Sequence, residues 1–169
     1  MNMDASELKT KIKSAFKGVK LEDGVSLNQA KVMSNYGEGV TNVEFRNLPL
    51  KELIDDWESL TEDFLGDFYN EDYYENLSHL DAKGFRYYTP ALMMIALDAE
   101  ESSASTQWLL YNLDFKKDGL WDYHMSKVSL LDRNQLAAIA HFLEFMSGVL
   151  PEEQKMIGRM LGRYWHQFL

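Results

Sequence analysis

Four histidines, His79, His124, His141 and His166, are the side chains best suited to move protons or hold a metal near neutral pH. Glu75 and His79 stand at i, i+4 and His141 and Glu144 at i, i+3, so each pair would share one side of a helix. A metal site needs three or four converging ligands. Neither Glu-x-x-His, the unit of helical di-metal centres, nor His-Glu-x-x-His occurs. The absence of cysteine removes thiolate catalysis, disulfides and sulfur-ligated zinc or iron. Gly37-Glu38-Gly39 lacks the third glycine of a dinucleotide loop, because Asn42 stands there, and neither a Gly-x-Ser-x-Gly elbow nor a phosphate loop is found. Acid pairs are too numerous for one to be singled out as a glycosidase dyad. The expectation is no metal, no cofactor and no catalytic residue.

Two constellations remain. The first is Asp81, Gly84, Arg86, Tyr87, Tyr88 and Pro90. A guanidinium offers forked donors, so Arg86 flanked by two tyrosines can form a small pocket for a carboxylate or other anion. Alternatively, Arg86 pairs with Asp81 or another acid while the tyrosines anchor a turn to the core, which fixes geometry more than it adds stability. The second is a block of charge. The chain has 169 residues, 17 basic and 27 acidic, with a net charge of −10. Residues 51–75 hold one lysine against ten acids, so 25 residues carry −9 of that total. Asp55, Asp56, Glu58, Glu62, Asp63, Asp67, Glu71 and Asp72 are the candidate partner-binding carboxylates, interleaved with Trp57, Phe64, Phe68, Tyr69, Tyr73 and Tyr74. Such a field attracts a cationic partner, and aromatics at its margin supply anchors. The plainer alternative is a wet face of short helices with acids at their starts. Direct nucleic-acid binding and adhesion to an anionic membrane are both excluded as expectations, for want of a cationic footprint.

The elements that must position these residues are mostly helical. Leu8, Ile12, Ala15, Phe16 and Val19 form one apolar stripe behind an Asp4–Glu7 capping pair, with Lys9, Lys13, Lys17 and Lys20 on the wet side. Pro49 is expected to start a helix carrying Leu50, Leu53, Ile54 and Trp57, and Thr61 and Asn70 to cap two short ones. Asp81 to Gly84 reads as a turn with Gly84 at positive φ, and Thr89-Pro90 as the start of a helix that is apolar all round. Ser103 to Tyr111 is read as a helix, with a strand as the alternative. Asp132 and Gln135 cap a helix ending at Gly148, and Pro151 starts the last one, which bears Met156, Ile157, Met160, Leu161, Tyr164, Trp165 and Phe168. Gly158 and Gly162 predict close backbone packing in that helix or, failing that, a homodimer seam. Lys155, Arg159, Arg163 and His166 line its basic face. Only Val40 to Phe45 resembles a strand. The expected fold is mainly α: one domain over residues 1–169, about seven or eight helices and at most one short strand pair. The longest apolar run, Pro90 to Leu97, is too short to span a membrane, and Met1 to Phe16 lacks the apolar core of a secretory leader, so a cytoplasmic protein is expected.

Several segments together carry a family resemblance. Leu77-Ser-His-Leu-Asp81-Ala-Lys-Gly84-Phe85-Arg86-Tyr87-Tyr88-Thr-Pro90-Ala-Leu-Met resembles the Gly-Phe-Arg-aromatic-aromatic-x-Pro signature of a family of small bacterial proteins of unknown function. Leu130-Leu-Asp-Arg-Asn-Gln135 with Phe142-Leu-x-Phe145, the Arg163-Tyr-Trp165 ending and Asp56-Trp57 resemble the remaining segments of that family in the same order. The resemblance implies no catalytic residue. Three functional classes stay open: a protein-binding module, in its sharpest form an immunity or antitoxin-like inhibitor covering the basic surface of a toxin or nuclease domain; a small-ligand protein or enzyme with its pocket at Arg86, Tyr87 and Tyr88; and an accessory homodimer formed through the last helix.

Overall fold

A computed structural model describes residues 3–37, 39–66, 76–99 and 103–169. Among these, nine α-helices and several short 3-10 turns account for the regular structure, and no strand is present. The helices are α1 (Ala5–Ala15), α2 (Leu27–Tyr36), α3 (Val43–Asn47), α4 (Glu62–Gly66), α5 (Ala82–Asp98), α6 (Ala104–Leu113), α7 (Trp121–Val128), α8 (Arg133–Val149) and α9 (Gln154–Arg163). The mainly α class is therefore correct, while Val40–Phe45 is no strand. Asn42 accepts from the Phe45 N–H at 2.8 Å and opens α3 instead.

Local chemistry accounts for most helix starts. Asp4 with Glu7 and Asp132 with Gln135 form reciprocal capping boxes, as their spacing predicts. Ser26 with Gln29 adds a third at the start of α2. Ser103 caps α6, which is helical rather than extended, and the Thr61 hydroxyl accepts from the Phe64 N–H at α4. The helix expected at Asn70 lies outside the described residues.

At the middle of the core stands α5, packed against α1, α6 and α7. Phe85, Tyr87, Tyr88, Pro90, Ala91, Leu92, Met93 and Ala96 are all buried along it, as a helix without a wet face requires. Its start differs from expectation. Asp81, not Thr89, is the N-cap, and Pro90 lies inside the helix. Proline has no N–H, so the Arg86 carbonyl lacks its i+4 donor; the helix continues because the turns on either side of Pro90 are held in the core, residues 84–93 being buried except for half-buried Arg86. Gly84 accordingly has helical backbone rather than positive φ. Its lack of a side chain matters for another reason: a Cβ there would lie 2.5 Å from the Val25 carbonyl oxygen, and one at Gly24 would lie 2.6 Å from the Lys83 Cβ. The turn at residues 21–25 thus rests directly on the first turn of α5.

Other boundaries also shift. Pro49 opens only a 3-10 turn, Leu48–Lys51, and a second turn covers Trp57–Ser59, so Leu50 to Trp57 is not one helix. The reason is tertiary: Leu21 N–H donates to the Ile54 carbonyl at 2.8 Å, and the Trp57 indole donates to the Phe16 carbonyl at 2.9 Å, tying an irregular segment to the chain after α1. Gly148 lies within α8, which ends at Val149, and α9 begins at Gln154 after a turn at Pro151. The apolar stripe of α9 does face inward, with Ile157, Met160 and Trp165 buried and the Trp165 indole donating to Leu113 O at 3.0 Å. Gly158 and Gly162 do not pack against a backbone, because a Cβ on either meets no atom within 4 Å. They lie on the exposed side of α9.

Candidate functional site

The Asp81–Pro90 constellation is built to hold elements together. Asp81 Oδ1 accepts from Gly84 N at 2.8 Å and from Val25 N at 3.0 Å, so one carboxylate caps α5 and fixes the preceding turn. The Tyr87 hydroxyl donates to Leu53 O at 2.6 Å. The Tyr88 hydroxyl donates to Glu52 Oε1 at 2.7 Å and accepts from Leu27 N at 3.2 Å. Glu52 completes the junction by accepting from Asn28 N and Nδ2. Burial, followed by the Glu52 carboxylate, raises the pKa of Tyr88 strongly; burial does the same for Tyr87. Both tyrosines thus anchor the 52–54 segment and α2 to α5, as the plainer reading of the sequence has it. The expected Arg86–Asp81 pair does not form. Arg86 is half-buried, and its Nε is buried without a hydrogen-bond partner among the described residues.

The acidic segment divides by role. Asp56 caps the Trp57–Ser59 turn, accepting from Glu58 N at 3.1 Å and from the Ser59 hydroxyl at 2.5 Å. Asp55 lies 3.3 Å from Lys20, and Glu58 lies 3.3 Å from Lys13, both pairs largely exposed. The lysines on the wet side of α1 and just beyond it therefore offset part of the charge, though exposed pairs of this kind are worth little. Glu62 and Asp63 are exposed in the first turn of α4. Asp67, Glu71 and Asp72 lie outside the described residues. The chain leading into and through this segment carries several exposed apolar side chains. Tyr36 and Leu50 are each 78% exposed, Val43 58% and Leu53 53%. The Leu48–Lys51 turn packs against α2 and α3. A groove of about 400 Å³, lined by Val32, Tyr36, Val40, Phe45, Leu48 and neighbours, opens among these elements.

A third feature gave little sign in the sequence. Lys127 on α7 is only 3% exposed. Its Nζ donates to Leu77 O at 2.5 Å and sits over the rings of Tyr123 at 4.9 Å and Phe85 at 5.9 Å. No carboxylate pairs with it among the described residues, and burial brings its pKa down from 10.5 to about 7. The Tyr123 hydroxyl donates to Ser78 O, so both side chains hold carbonyls of the Asn76–His79 turn. A cavity of about 170 Å³ lies alongside, lined by Lys127, His124, Tyr123, Tyr111, Asn112 and Asp114 among others. His124 stacks on Phe115 with ring centroids 4.8 Å apart. Its pKa is lowered, first by burial and then by Lys127. Helical spacing puts Lys127 away from the apolar set Trp121, Met125 and Val128, so periodicity within α7 gave no sign of its burial.

Of the remaining basic face of α9, Arg163 lies 2.9 Å from Asp114 and belongs to the fold. Among the described residues, no group of three or more His, Asp or Glu side chains is placed to hold a metal ion, and no helix is long and apolar enough to cross a membrane.

Comparison with curated proteins and with solved structures finds no match. The family comparison does, and its match, residues 4–169, takes in every feature described above. The chain belongs to the family of unknown function DUF6714.

Proposed function

We propose that this chain is a protein-binding module that meets a basic partner through the surface running from α2 to α4. The observation carrying this reading is a run of exposed apolar side chains, Tyr36, Val43, Leu50 and Leu53, on the stretch of chain that forms an apolar groove and leads into residues 51–75, which carry a charge of −9. An interface joins desolvated apolar anchors to a charged rim. A folded domain gains nothing by leaving Leu50 in water, whereas a partner that covers it gains about 25 cal/mol per Å² of apolar surface removed. The carboxylates Asp55, Glu58, Glu62 and Asp63 select a cationic rim on that partner and speed encounter. The sharpest form of the reading is a cytoplasmic, bacterial immunity or antitoxin-like inhibitor that covers the nucleic-acid-binding surface of a toxin. The signature resemblance at Gly84–Pro90 supports a bacterial host.

A photo-crosslinking residue at position 50, expressed in the native host, identifies the partner. Binding is then measured with purified components. Leu50→Asp should weaken it at least about tenfold, the loss of one well-buried anchor. Equal affinity of wild type and Leu50→Asp would overturn the proposal.

A further inference from the structure

The Lys127 cavity is separate from that surface. Lysine is rarely buried without a charged partner, because an ammonium loses its hydration and gains nothing in return. Three observations converge here. Lys127 is 3% exposed, and Leu77 O is its one hydrogen-bond acceptor among the described residues. Its amine lies against the aromatic faces of Tyr123 and Phe85, and no carboxylate pairs with it among the described residues. A cavity of about 170 Å³ borders it, large enough for a small organic molecule and lined by the half-buried His124 imidazole from one turn earlier on α7. A lysine whose function was to tie down the Leu77 carbonyl would require no cavity beside it.

We propose that Lys127 captures a small carbonyl compound, an aldehyde or 2-oxo acid, as an imine in this cavity. The Nζ lone pair forms a C–N bond to the carbonyl carbon. The carbonyl oxygen takes up both amine protons in turn and leaves as water, and a C=N bond replaces C=O. No oxidant or reductant is consumed. An unprotonated amine is the reacting species. Burial brings the Lys127 pKa down to about 7, so far more of it is in that form at neutral pH than the fewer than about one in a thousand of an ordinary lysine. His124, whose pKa is lowered by burial, borders the same space and can relay the protons. Lys116 on the cavity rim is exposed and suits the carboxylate of a 2-oxo acid.

The test uses the full chain, glyoxylate and cyanoborohydride, which fixes an imine as a stable secondary amine, followed by peptide mass mapping. At pH 7 the adduct at Lys127 should form at least tenfold faster than at any surface lysine. Lys127→Met should lose that adduct while keeping its circular dichroism spectrum, and Lys116→Ala should slow it for glyoxylate but not for an uncharged aldehyde such as propanal. Labelling spread over the surface lysines with Lys127 unmodified in the folded wild type would overturn the proposal. That result does not depend on any variant folding.

Discussion

Replacing Lys127 by methionine changes how stability depends on pH, and the size of the effect follows from burial. In the folded chain Lys127 has a pKa of about 7, against 10.5 for the exposed side chain. Between those values the unfolded chain holds a proton that the folded chain has released. Stability therefore rises with pH, by up to about 1.4 kcal/mol per unit. From pH 7 to pH 9 the expected gain is about 2 kcal/mol, reduced below the full slope because Lys127 is still half protonated at pH 7. Other shifted groups lie outside this window. His124 is lowered by burial, so its contribution centres below its ordinary value of 6.5 and adds little above pH 7. Tyr87, Tyr88 and Tyr164 are raised by burial, so their contributions begin to fall away only as pH approaches 10. Lys83, raised by its bonds to Asp23 and Glu22, is protonated throughout in both states. The assay is urea unfolding at pH 7, 8 and 9 and constant ionic strength. Wild type should gain about 2 kcal/mol and Lys127→Met almost nothing. A flat wild-type profile, or the same rise in the methionine variant, would refute the burial argument.

Three substitutions probe the scaffold. Gly84→Ala forces a Cβ against the Val25 carbonyl and should cost about 1–3 kcal/mol in denaturant unfolding, as overpacking does. Gly158→Ala and Gly162→Ala meet open space on a helix and should each stabilise by about 0.5–1 kcal/mol in the same measurement. Tyr88→Phe removes a hydroxyl bonded to both Glu52 and Leu27 N; leaving those groups unmatched should cost about 1–3 kcal/mol and increase amide exchange at Leu27 first.

Features that depend on near neighbours in the chain were legible from the residues. The capping pairs Asp4–Glu7 and Asp132–Gln135, the Thr61 cap and the inward stripes of α1 and α9 all rest on contacts three or four positions apart. Where distant segments decide, local reading failed. Pro90 looks like a helix start because its missing N–H suits a first turn, but burial of the turns around it carries α5 through it. Pro49 to Trp57 has helical spacing, yet bonds from Leu21 and to Phe16 hold it irregular. Gly158 and Gly162 look like a packing seam, but their side of α9 faces outward. Lys127 is the extreme case, since nothing in a lysine codon says that its amine will be enclosed by Leu77, Tyr123 and Phe85. The acidic block was visible as charge; the exposed Leu50 and Tyr36 beside it were not, because exposure is a property of the assembled surface.

If exposed carboxylates draw in a cationic partner, the association rate with the crosslinked partner must respond to salt, measured as ionic strength is raised from about 20 to 200 mM for wild type and for Asp55→Asn/Glu58→Gln/Glu62→Gln/Asp63→Asn together. The wild-type rate should fall at least about tenfold with salt, and the variant should be slower at low salt and nearly salt-independent. Equal rates and equal salt slopes for the two proteins would contradict it.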